Sequence, residues 1–489
     1  ISEAANSDFS ISWYHQEKNE LDETKREYLI PRSFAAEGPA SASADINGDG
    51  LTDIFLGGAK DQAGAFFLQK EDGGFEPIES KSFSQLAKAE DVVAAFEDFN
   101  GDGYLDLYVG SGGNEYEADN LFLFDRILYG NGKGNFAFFP NALPPIGQNT
   151  SSLAIHDVNG DGFPDIFVGA SVLTGDYGAS PYSYLLINNG RGQFRDQTQE
   201  WFGAGKDLGM IQDATWSDLD GDGAKELILS GDWQAIRVFK NKGNKLDEIF
   251  SGGLEKSTGW VNEIMVEDIN GDGLKDILVG NLGLNSKLKA SHEKPVVFYH
   301  HDFDGNGQAD PLIFHYMGEK LVPFATRDDL IKQIPGVKRM HSSYQEYAKI
   351  SKPEDLFGKD IIGKLSPKYA YEFRSGVYFQ KEDGTFEFEA FPWQAQLSPI
   401  KDMKWNAATQ TLWIVGNDSG FRVDLGKNTS SSNLKLQWTK EGWKVIKEEN
   451  KVPSQAELRR IEQIKSLSNS YIIGISNNGP VYFLGNSEN

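Results

Sequence analysis

The sequence predicts an all-β fold, a seven-bladed β-propeller with calcium-binding loops and a short helical insertion in the fifth and sixth blade region. Three observations point there. A nine-residue acidic motif recurs, beginning at Asp45, Asp98, Asp157, Asp218 and Asp268. Its intervals of 53, 59, 61 and 50 residues match the length of a four-stranded propeller blade. Each copy is flanked by short apolar runs of strand length, and a closed array of such units makes one large domain from 489 residues.

The motif itself is a ligand set. In Asp268-Ile-Asn-Gly-Asp-Gly-Leu-Lys-Asp276, oxygen-bearing side chains stand at positions 1, 3, 5 and 9 (Asp268, Asn270, Asp272, Asp276), with the Leu274 carbonyl at position 7. Such a set suits a hard, oxygen-seeking cation, usually calcium. The same pattern gives Asp45, Asn47, Asp49, Leu51 and Asp53; Asp98, Asn100, Asp102, Tyr104 and Asp106; Asp157, Asn159, Asp161, Phe163 and Asp165; and Asp218, Asp220, Asp222, Ala224 and Glu226. A sixth copy exchanges Asp and Asn but keeps the spacing, with Asp302, Asp304, Asn306, Gln308 and Asp310. One isolated Asn-Gly or Asp-Gly would read equally well as a hairpin turn. Six copies with their acids in register predict about six calcium ions. An EF-hand would need a bidentate Glu at position 12, and the first loop has Leu56 there, inside an apolar run.

Composition bounds the function. Lys plus Arg number 47 against 72 for Asp plus Glu, a formal charge of −25. Nineteen of those acids lie in the six loops, so much of the charge is ligand. Nucleic acid is excluded as a partner by its like charge. There are no cysteines, hence no disulfide framework. No apolar run reaches the length of a membrane span. Calcium loops of moderate affinity fill constitutively only where calcium is plentiful, which implies an exported protein at the cell surface. The chain begins at Ile1 without a signal sequence, so a leader is expected to precede it or to have been removed. Residues 1–24 read as an N-terminal tether and 25–489 as the propeller.

Taken in order, each unit has an apolar strand before the loop (92–96, 153–155, 214–216, 263–266), a second after it (105–109, 166–168, 227–229) and a third (184–187, 236–239). A Gly-rich turn then leads to a fourth, as at 192–195. Trp216, inside a first strand, reads as core. The sixth loop follows its predecessor too soon and is expected between the third and fourth strands of blade five. Residues 317–370 read as a helical insertion, with Thr326 capping a helix that Pro335 ends. Its Lys332, Lys338, Arg339 and His341 form a basic island. A sixth blade begins near Ile400 with a degenerate loop (Asp402, Trp405, Asn406), and a seventh ends the chain one strand short. Residues 26–30 are expected to supply that closing strand.

With the repeats laid out, the chain resembles the FG-GAP or VCBS repeat proteins, whose blades are like those of the integrin α propeller. It resembles more closely the C-terminal propeller half of Bacteroidota FG-GAP proteins with an ASPIC/UnbV region. The matching stretches include Glu27-Tyr-Leu-Ile-Pro-Arg32, Glu37-Gly-Pro39, Gly110-Ser-Gly-Gly-Asn-Glu115, Asp125-Arg-Ile-Leu-Tyr129, Gly209-Met-Ile-Gln-Asp-Ala-Thr-Trp216, Gly280-Asn-Leu-Gly-Leu-Asn285 and Ala325-Thr-Arg-Asp-Asp-Leu330. The resemblance implies an exported surface protein with an accessory role beside SusC/SusD-like outer-membrane nutrient transporters, lipid-anchored or otherwise peripheral to the membrane; a protein partner or a glycan is expected.

In such propellers the calcium loops share one face, and the opposite face is expected to bind a ligand or partner through Glu115, Tyr116, Trp233, Trp260, Asn281 and Asn285. Aromatic side chains on a rim stack on sugars or anchor proteins. No metal-binding helix motif joins the seven His residues, and no nucleophile elbow occurs. No catalytic residue is expected. A calcium-studded polysaccharide lyase and an integrin-like adhesion protein are the alternatives.

Overall fold

The computed structural model describes residues 11–18, 22–78, 81–250, 252–422, 425–446, 452–467 and 469–487; of the expected tether, 1–10 and 19–21 lie outside them. Strands dominate, in seven four-stranded antiparallel sheets and one three-stranded sheet. The first strands of seven sheets are Ser41–Ala44, Glu90–Glu97, Thr150–His156, Met210–Ser217, Glu263–Glu267, Ile400–Asn406 and Glu457–Lys465. Each packs on the next, and the last returns to the first, closing a β-propeller ring.

Second strands such as Asp53–Leu56, Asp106–Gly112 and Thr411–Gly416 are buried along their whole length. They are apolar on both sides because each sheet is covered by a neighbour on either face. At one seam, Phe167 and Leu185 of the third sheet meet Trp216, Leu229 and Phe239 of the fourth. Trp216 is buried as expected and donates its indole N–H to the Ala154 carbonyl at 3.2 Å. Each fully buried Phe or Leu contributes roughly 2–3 kcal/mol.

Two expectations about connectivity are corrected. The fifth ring sheet consists of Glu263–Glu267, Asp276–Gly280, Gly376–Gln380 and Phe386–Ala390, so the long insertion separates its second and third strands. The sixth acidic loop belongs to the insertion's own sheet. That sheet is formed by Val296–His301, Asp310–Met317, Lys320–Pro323 and Lys368–Ala370. Five short helices from Arg327–Gln333 to Lys359–Ile362 cover it, burying Leu330, Ile334, Val337, Leu356 and Phe357 against Val297, Tyr299 and Phe314. The apolar runs 296–299 and 311–314 that bracket the sixth loop are strands, paired within the inserted sheet and not within blade five.

The second correction concerns ring closure. Residues 26–30 form no strand; Glu23–Lys25 is a single 3₁₀ turn and the chain then crosses the centre. The last sheet keeps three strands, Glu457–Lys465, Ser470–Asn477 and Val481–Asn486. The N-terminal stretch reaches it earlier, where the His15 N–H donates to the Gly479 carbonyl at 2.9 Å and Tyr14 bridges Pro480. Ile11 packs with Ile54, Leu56, Ile464, Ile473 and Ile475 across the seam of the first and last sheets. Residues 11–15 are thus a packed seal, not a tether.

Candidate metal centres and the plugged face

In an antiparallel sheet of sequential strands the turns alternate between the two ends. All turns between strands one and two therefore share one face of the ring, and the first five acidic loops are those turns. Turns one, two, three and five repeat the same hydrogen bonds at position 1. In the first, one oxygen of Asp45 accepts the Gly48 and Asp49 N–H groups at 2.7 and 3.1 Å, and the other accepts Gly50 N–H at 2.8 Å. Asn47 accepts Asp49 N–H, and Asp49 accepts Leu51 N–H. Gly48 and Gly50 sit at φ 78° and 84°, a left-handed pair that only glycine adopts freely. The turn thereby folds positions 1, 3 and 5 back on one another, with the Asn47 side-chain amide donating to the Asp49 carboxylate at 3.0 Å.

Position 9 is the buried end of each site. Asp53 accepts Ile46 N–H and Gln69 N–H at 3.1 and 2.8 Å, tying the turn to the third strand. Asp106, Asp165 and Asp276 repeat this arrangement with Gly130, Asn188 and Gln380. In the inserted sheet, Asp310 instead receives the side-chain amide of Gln333, from the helix Arg327–Gln333, at 2.9 Å. Burial pushes the Asp53, Asp165 and Asp276 carboxyls up to about 6 and that of Asp106 to about 7, against their hydrogen bonds. It also raises Glu226 and Asp310. A divalent cation is what this donor set fits: hard oxygens, crowded negative charge and a buried carboxylate whose ionisation costs energy without one. Asp218, Asp220 and Asp222, and likewise Asp302, Asp304 and Asp310, bring carboxylate oxygens within 4.8 Å of one another. The degenerate turn of the sixth sheet closes with Asn406 accepting the Ala408 and Thr409 N–H groups. Its Asp402 instead accepts Ile461 N–H from the next sheet.

The opposite face is plugged. Arg32, which is 2% exposed, donates through Nη2 to both carboxylate oxygens of Asp232 at 3.1 and 3.2 Å and through Nη1 to Asn262 at 3.0 Å. Its guanidinium lies 4.7 Å over the Phe34 ring. Glu23 accepts Phe34 and Ala35 N–H groups, hydrogen-bonds Ser33 and takes the side-chain amide of Asn114. Glu27 accepts Tyr177 N–H, and Arg422 donates to the Tyr28 carbonyl. Ile30 and Phe34 join Trp233, Trp260, Phe298 and Phe421 in one apolar cluster.

This arrangement corrects the expected binding rim. Trp233 and Trp260 are buried, 5.6 Å apart edge to face, with the Trp233 indole N–H on the Tyr177 hydroxyl. Asn281 is buried too, accepting Trp260 N–H and donating to the Glu372 carbonyl. All three support the plug. Asn285 is exposed and spans Leu397 and Ser430. Glu115 and Tyr116 are half-buried, with Lys60 3.0 Å from the Glu115 carboxylate and over the Tyr116 ring. His300 pairs with Asp176 at 2.6 Å, which docks the inserted sheet on the third ring sheet.

One cleft on this face escaped sequence reading. About 510 Å³ in volume, it lies between the plug and the last two sheets, lined by Tyr14, Glu17, Asp418, Glu457, Arg459 and Tyr482. Its residues come from distant loops, so no local motif announces it. The signal for the plug lay in the apolar, Arg-containing stretch 27–34, which reads locally as a strand.

A family model described as FG-GAP-like repeat matches residues 45–109, 98–168 and 218–279, which contain all five ring loops. Mouse phosphatidylinositol-glycan-specific phospholipase D is 36% identical over 152 residues, covering 28% of this chain and 18% of that protein. Chicken integrin alpha-V is 28% identical over 157 residues, covering 27% of this chain and 14% of that protein. The chain thus spans less than a fifth of either relative. Among solved structures, YCF48 bound to D1 peptide aligns with 93% of this chain and 95% of its own at 10% identity and a TM-score of 0.43. Saccharomyces cerevisiae Sqt1 aligns with 92% and 96% at 8% identity, also at 0.43. The repeats matched are the hairpins whose turns carry the acids, so the chain is a β-propeller that contains FG-GAP-like repeats.

Proposed function

We propose that the protein is a non-enzymatic, calcium-stabilised propeller at the bacterial cell surface. In this reading it is an accessory binding or structural subunit of a SusC/SusD-like outer-membrane uptake complex, peripheral to the membrane. The observation that carries the calcium reading is the repeated turn: positions 1, 3, 5 and 9 would hold the ion with the position 7 carbonyl. A bound ion would supply positive charge that ties each inner hairpin together. No helix of the described residues is long and apolar enough to cross a membrane, and the similarity to an integrin α chain supports a surface location.

A polysaccharide lyase of this architecture needs a Lys, Arg or Tyr base beside a cation in a deep cleft. The cleft with Arg459 and Tyr482 lies on the face away from the five ring turns, which disfavours that chemistry. Purification of the native protein from detergent-solubilised outer membranes tests the reading. Co-purification of a transporter pair supports it; a lone monomer overturns the subunit role. Release of unsaturated sugars from polysaccharide would establish the lyase instead.

A further inference from the structure

The fourth turn departs from the other four ring turns at three places at once. Position 3 is Asp220 where the others carry Asn47, Asn100, Asn159 and Asn270, and position 9 is Glu226 where the others carry Asp. The third-strand residue opposite position 9 is Lys240, where strand register puts Leu68, Tyr129, Ile187 and Phe379 in the others. Residues directly opposite on antiparallel strands project to the same side, which brings the lysine to the turn. Its ammonium lies against Asp220, 2.7 Å from Asp222 and 3.8 Å from Glu226.

The turn still offers unspent ligand atoms. Glu226 has no exposed surface, and its Oε1 has no hydrogen-bond partner; Oδ1 of Asp218 has none either. In the other ring turns the position 1 carboxylate accepts the N–H of the position 4 glycine through Oδ1.

We propose that Lys240 is a tethered competitor for the cation at the fourth turn, so that this turn fills last and only at higher calcium than its neighbours. An entering ion must displace the ammonium or share carboxylates with a unit charge a few ångströms away. The proposal rests on the calcium reading above and adds an order of filling to it. The four equivalent apolar residues leave their turns open; Lys240 makes one turn responsive to calcium over a range where the rest are saturated.

The test is calorimetric calcium titration of the metal-stripped full chain, for wild type, Lys240→Met and Leu68→Lys. Methionine keeps the lysine's apolar stem without its charge. Lys240→Met is expected to tighten the weakest site roughly tenfold without changing the number of ions. Leu68→Lys is expected to weaken one site by a similar factor; should it fail to fold, Lys240→Met decides alone. A folded Lys240→Met chain whose weakest site is unmoved overturns the proposal and leaves the calcium reading intact. A wild-type chain that takes up no calcium overturns that reading itself.

Discussion

On the face carrying the five turns, the acids of turns one, two, three and five have no lysine or arginine partner among the described residues. On the opposite face several buried acids have a cation from the chain itself: Asp232 with Arg32, Asp418 with Lys401 at 3.0 Å, Asp91 with Arg126. Burial alone would raise Asp418, yet Lys401, Arg459 and Arg32 hold its carboxyl well below the usual carboxylate range. The same problem, negative charge out of water, is met once by oxygen cages that fit an ion from solution and once by covalent countercharge. The first solution depends on the medium, and the second does not.

The largest effect expected from this contrast is on chelation. Excess EDTA should lower the melting temperature by roughly 10 °C or more, because several sites contribute binding energy only to the folded state. An unchanged melt would refute the structural role of the turns. On the other face, Arg32→Met should cost about 3–5 kcal/mol in denaturant titration, since it strands the Asp232 carboxylate. Arg32→Met combined with Asp232→Leu should recover most of that loss; equal instability of single and double variants would show that packing around Phe34, not charge, dominates.

Next in size is a pH effect at Asp125, which accepts the Ser111 N–H and the Tyr108 and Thr150 hydroxyls. Burial pushes its carboxyl up to about 7 from an unfolded value near 3.8. Between these values the folded state binds the extra proton, so stability present at low pH is lost as pH rises. Asp125→Asn should remove that slope, worth about 3 kcal/mol between pH 4 and 7; parallel wild-type and variant curves would contradict it. The smallest effect expected is at the acid-poor turn of the sixth sheet. Asn406→Ala should cost about 0.5–1 kcal/mol for its turn hydrogen bonds and leave the calcium count unchanged.

The repeat and its turns were legible because period, spacing and ligand chemistry are local. Asp45 to Asp53 carry their whole geometry within nine residues, and Trp216 sits in an apolar stretch that only a core position explains. The insertion's Thr326 cap and Pro335 stop were also local, and Thr326 does accept Asp329 N–H. The role of 26–30 was not legible. An apolar run beside charged residues looks like a strand whether it pairs with a sheet edge or fills a channel, and the deciding partners, Asp232 and Arg422, lie hundreds of residues away. Trp233 and Trp260 failed for the same reason: they lie in loops, where exposure is the ordinary expectation, and the segment that covers them comes from the chain's start. In the fifth sheet the insertion follows the second strand instead of the third, and apolar runs alone do not say which sheet they join.

The stretch from Glu23 to Phe34 behaves as a keystone. Every ring sheet except the fifth, which the insertion splits, is built from neighbours in sequence and can assemble by short-range pairing, yet this one stretch touches groups from the second through the sixth sheets, with partners up to 394 residues away. Such contacts form only when nearly the entire wheel is in place. Consolidation of the central stretch is therefore expected to come last and to make unfolding of the wheel all-or-none, with damage to any one sheet felt at the hub by the rest.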